Sequence, residues 1–89
     1  MINNTYYNGI QLVENILVFI NENKIQNQKI GLLFNFYCEK KGGQFISYKS
    51  FQRVIEELSE RELIEVQKLR GGLHGTTTII SYIKNKVQK

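Results

Sequence analysis

What the chain lacks narrows its chemistry first. Its 89 residues include no aspartate, no proline and no tryptophan, and only one cysteine and one histidine. The single thiol, Cys38, excludes an intramolecular disulfide and any cysteine-rich zinc site. Cys38 reads instead as a small buried hydrophobe. Without aspartate no Ser-His-Asp arrangement can form, and nothing beside His74 would orient its imidazole against a serine. Gly42-Gly43 and Gly71-Gly72 lack the strand–loop–helix setting and the Lys-Ser/Thr ending of a phosphate loop. No apolar run approaches the roughly 20 residues of a membrane span. No basic segment followed by an apolar one opens the chain, so no signal peptide is read. The expectation is a non-enzyme, soluble and cytoplasmic, with no metal, cofactor, membrane or small-molecule partner.

What is present is enough for one small core. Twelve isoleucines, five phenylalanines and five tyrosines supply the apolar volume, and a chain of this length makes one domain, 1–89. Twelve Lys or Arg against eight Glu give a net charge of +4. That excess favours polyanions without dictating a fold. The polar ends, 1–8 and 84–89, are expected to fray.

Periodicity orders the middle. Ile10, Val13, Ile16, Leu17 and Ile20 form a helical stripe over 9–22. Leu12, Val18 and Phe19 widen it beyond what one core requires. That surplus predicts either a homodimer contact through these three residues or cover by Met1–Tyr7 or Val87. Residues 21–28 read as a connection. A second helix over 29–40, apolar on nearly all sides, is expected at the centre of the core. It stops at Lys40-Lys41-Gly42-Gly43, where cations and glycine suit a helix C-terminus. Gln44-Phe45-Ile46 is expected as a short edge strand. Ser47 then serves as N-cap, accepting from the N–H of Lys49 or Ser50. It opens a third helix, to about Glu60, in which Phe51, Val54, Ile55 and Leu58 stand at i, i+3, i+4, i+7. Two strands follow, 63–69 and 76–83, joined by Arg70-Gly71-Gly72-Leu73-His74-Gly75. The reading is an α+β winged helix-turn-helix, three helices with a small antiparallel sheet.

That outline directs attention to one surface. The N-terminal part of a recognition helix reaches base edges, and here it reads Ser47, Tyr48, Lys49, Ser50, Gln52 and Arg53. Gln suits adenine and Lys or Arg suits guanine, while Ser, Tyr and Lys reach phosphates. The hairpin tip holds Arg70 and His74, with Lys68 and Thr76 beside it; its small residues allow close backbone approach, and Arg70 can enter a minor groove. The glutamates begin only at Glu56, where the helix would leave the groove.

Ile30-Gly31-Leu32-Leu33-Phe34-Asn35-Phe36-Tyr37-Cys38, Ile46-Ser47-Tyr48-Lys49-Ser50-Phe51, Ile55-Glu56-Glu57-Leu58 and Leu63-Ile64, with the stretch Leu69–Thr77, resemble the C-terminal winged-helix domain of archaeal origin-recognition initiators. The likeness covers 29–81 and extends to small free-standing winged helices of archaeal viruses and plasmids. It implies double-stranded DNA binding through the third helix and the wing. Three departures matter. No ATPase domain is present, so initiation is not carried over; Glu62 stands where the family often has glycine; and the wing has one arginine, Arg70. The functional expectation is a sequence-specific DNA-binding protein, a small transcriptional regulator. The alternative is a winged helix for protein–protein contact, which Glu56, Glu57, Glu60, Glu62, Glu65 and Leu73 would suit. Single-strand binding by aromatic stacking is disfavoured, because most aromatics occupy buried spacings.

Overall fold

The helix marked by Phe51, Val54, Ile55 and Leu58 runs over Tyr48–Glu60, and all four side chains are buried. The computed structural model describes residues 4–43, 46–71 and 75–84, with side chains from residue 11 onward. The elements are α1 (Asn4–Glu22), β1 (Gln28–Lys29), α2 (Ile30–Lys41), α3 (Tyr48–Glu60), β2 (Ile64–Arg70) and β3 (Thr76–Tyr82). The strands form one antiparallel sheet in the order β1-β3-β2. This is the expected α+β class, and its element order is consistent with a winged helix-turn-helix.

The three helices end alike. Each closes with the backbone of the sixth residue donating to the first and the fifth to the second, with one residue in the left-handed region. In α2 that residue is Gly42, at φ +86°, with Gly43 N–H donating to Cys38 O. In α1 it is Lys24, at φ +46°, with Ile25 N–H donating to Ile20 O. In α3 it is Glu62, at φ +61°, with Leu63 N–H donating to Leu58 O. Glu62 thus makes this turn without a glycine. A side chain in the left-handed region costs about 1–2 kcal/mol, partly offset by glycine's larger unfolded-state entropy. Glu62→Gly is therefore expected to stabilise the fold by about 0.5–1 kcal/mol, raising Tm by about 2–8 °C in a thermal melt.

The core joins all three helices to the sheet through Ile16, Phe19, Ile20, Ile25, Leu33, Phe34, Tyr37, Phe51, Val54, Ile55, Leu58, Ile64 and Ile80. Aromatic rings connect the helices. Phe19 lies 5.1 Å from both Phe36 and Tyr37, and Phe51 lies 5.3 Å from Phe34 and 5.8 Å from Tyr37, in tilted or edge-on geometry. Burial lifts the Tyr37 hydroxyl above its ordinary pKa, with a smaller contribution from Cys38. Lys40 and Lys41, in the last turn of α2, lie over the Phe36 and Tyr37 rings.

Three expectations change. Phe19 is only 8% exposed and packs on α2, so it offers no free surface for a dimer. Leu12 is partly covered by the core, which leaves Val18, 49% exposed, alone of the three. The α2 helix is not apolar-covered all round, since Leu32 is 55% exposed. Residues 4–8 belong to α1. Of the expected strand at 44–46, Ile46 lies in a bend and residues 44 and 45 fall outside the described residues. An edge strand is Gln28–Lys29, across the boundary of the expected connection and second helix, paired as Gln28 with Ile80 and Lys29 with Ile79. Among the described residues no helix is long and apolar enough to cross a membrane.

Candidate nucleic-acid interface

Strand alternation decides which residues join α3. Val66 pairs with Ile80, Lys68 with Thr78 and Arg70 with Thr76. With a period of two, Ile64, Val66, Lys68 and Arg70 share one face of β2. Ile64 and Ile80 are buried on that face, so it is the side packed towards the helices. Glu65, Gln67 and Leu69 take the opposite face. Lys68 and Arg70 therefore lie on the helix-facing side of the sheet, and Glu65 does not.

A groove of about 540 Å³ runs between α3 and this face of the sheet. Lys49, Gln52, Arg53, Glu56, Ser59 and Glu60 line it from α3, with Val66 and Lys68 from β2 and Thr78 from β3. Four predicted site residues, Lys49, Gln52, Arg53 and Lys68, thus come together. All four are exposed, and none carries an ion pair among the described residues. The positive end of the α3 dipole lies at the Lys49 end, and the two carboxylates lie further along the helix.

Other predicted residues have different work. Ser47 caps α3 by accepting from Ser50 N–H at 3.1 Å, as expected, and the two hydroxyls hydrogen-bond at 3.1 Å. Both side chains are engaged at the helix start. Tyr48 stands edge-on to Phe34, with centroids 5.3 Å apart, and is 38% exposed. Its ring is a packing group, which leaves its hydroxyl as the end available to a phosphate. Arg70 and Thr76 are exposed and paired at the base of the wing. Gly71 and Gly75 close that base with a 3.1 Å bond at φ +124° and +80°, values only glycine adopts freely. His74, with Gly72 and Leu73, lies outside the described residues.

Thr78 was missed among the candidate residues. The signal for it was the register: the residue opposite Lys68 on the α3-facing side of the sheet must line the same groove. Glu57 lies outside the groove and pairs with Arg61 one turn on, an exposed contact of small energetic weight.

No protein-family model, no curated protein and no solved structure matches the chain, so the likeness to the initiators rests on the quoted motifs alone.

Proposed function

We propose that the chain is a sequence-specific double-stranded DNA-binding protein, of the kind that serves as a small transcriptional regulator, with α3 in a major groove and the β2–β3 hairpin on the adjoining backbone or minor groove. The observation that carries this reading is the convergence of Lys49, Gln52, Arg53 and Lys68 on one exposed groove. Two separate elements contribute to it, and the donors are of the types that contact guanine, adenine and phosphate. Arg70 extends the cationic line towards the wing. One copy carries the whole groove, so the reading does not require the dimer that α1 suggested.

A second reading, a protein-docking winged helix, draws on Glu56 and Glu60 in the same groove and on Leu69, 47% exposed on the other face of β2. Titration of the protein against mixed-sequence duplex, with salt varied, separates the two. DNA binding predicts affinity that falls steeply with salt; a protein-docking module gives no duplex binding at low salt. If DNA is bound, Arg53→Ala is expected to cost about 1–3 kcal/mol at one base pair and to relax preference there. Competition between duplexes differing at single positions measures it.

A further inference from the structure

We infer that Glu56 is a base-reading residue of this groove, accepting a hydrogen bond from the exocyclic amine of a cytosine; the inference rests on the DNA-binding reading and extends it. Lys49, Gln52, Arg53 and Glu56 stand at i, i+3, i+4 and i+7 and all line the groove. At about 1.5 Å of rise per residue these seven steps cover about 10 Å. At about 3.4 Å per base along a strand, that is about three base-pair steps. Glu56 is therefore within the stretch of helix face that the basic residues define. Glu60, another turn along, is beyond it.

The state of the carboxylate supports a ligand role. Glu57, its sequence neighbour, is tied to Arg61 and lies outside the groove. Glu56 is exposed and has no ion pair or hydrogen bond among the described residues. A carboxylate in the same groove as Lys49 and Arg53 weakens attraction to phosphates, and a donor on a base edge is what would offset that cost. In the major groove, guanine offers two acceptors to this position and thymine offers an acceptor and a methyl group; both repel a carboxylate. Adenine offers an amine, but with the N7 acceptor beside it. Cytosine alone presents an amine without a competing acceptor. The glutamate thus selects by rejecting three bases as much as by binding one. Paired with Arg53 one turn before it, it makes a guanine contact and a cytosine contact neighbours on one helix face.

The test is selection from a randomised duplex pool with the wild type, Glu56→Ala, Glu56→Gln and Arg53→Ala. Glu56 is exposed on a helix and alanine is the stronger helix former, so folding is retained. The wild type is expected to prefer cytosine at one position by about 5- to 150-fold, the span of a good base contact. Glu56→Ala should abolish that preference, keep the guanine preference that Arg53→Ala removes, and bind random duplex no more weakly than the wild type. Glu56→Gln should move the preference from cytosine to adenine, the partner of an amide. Identical selection profiles for wild type and Glu56→Ala, or a uniform gain in affinity with no base-specific loss, overturn the inference while leaving the DNA-binding reading intact. A wild type that binds no duplex at all overturns both.

Discussion

Phe51→Ala is expected to destabilise the protein by about 3–5 kcal/mol, the range for emptying a buried aromatic site. Phe51 is fully buried. It belongs to α3, yet its ring meets Phe34 and Tyr37 of α2, and Tyr37 in turn meets Phe19 of α1. Removing it opens a cavity where all three helices converge, and rigid neighbours on three sides cannot collapse to fill it. A domain of 89 residues has about 4–13 kcal/mol of stability in total. The variant should therefore melt about 12–40 °C lower, at about 4–8 °C per kcal/mol, or fail to hold a cooperative fold. Circular dichroism melts measure this. A loss below about 1 kcal/mol would mean that the helices are not joined through this ring.

The second large effect concerns the groove. A Lys49→Ala, Arg53→Ala, Arg70→Ala triple variant removes three exposed cations, two of which line or adjoin the α3–sheet groove and one of which stands at the base of the wing. None is buried, and Arg53 carries no ion pair among the described residues, so stability should change by no more than about 0.5 kcal/mol per site. Duplex affinity should fall far more. Arg53 contributes about 1–3 kcal/mol as a base contact. Lys49 and Arg70, as phosphate contacts, should lower the slope of log K against log salt by about 2. Unchanged folding together with lost binding is the signature expected of an interface. Undiminished duplex binding by the triple variant at low salt would move the binding surface elsewhere.

Much of the fold follows from pattern. The i, i+3, i+4, i+7 spacing of Phe51, Val54, Ile55 and Leu58 specifies α3 and its buried side, and Ser47 caps it as its side chain dictates. The two longer strands follow from β-branched content and from glycines at the reversal. β1 was illegible because two residues carry no period; only their pairing with Ile79 and Ile80 makes them a strand. Phe19 was misread because α1 is apolar on more than one side, and its sequence cannot reveal that Phe36 and Tyr37 cover the second side. Ile25 was passed over for a similar reason: it is buried by the turn ending α1, which Lys24 makes without a glycine to announce it.

The site divides along the same line. Lys49, Gln52 and Arg53 share a helix face by periodicity, and Lys68 joins them by strand parity. Tyr48, Ser47 and Ser50 were grouped with them on polarity, but a ring contact and a capping bond occupy them first. Polarity groups Glu65 with Glu56, Glu57, Glu60 and Glu62 as suiting a protein partner, but the pleat turns it to the other side of the sheet from Glu56 and Glu60.

The most direct measurement is the backbone amide NMR spectrum of the protein titrated with duplex DNA at low salt. The resonances expected to shift most are those of Lys49, Gln52, Arg53, Glu56, Lys68 and Thr78, which line one groove, with Arg70 at the wing. Residues on the far face of the sheet, Glu65, Gln67 and Leu69, and those of α1 around Val18 should shift least. Shifts centred on α1 or on that far face, or no shifts at all, would contradict this expectation.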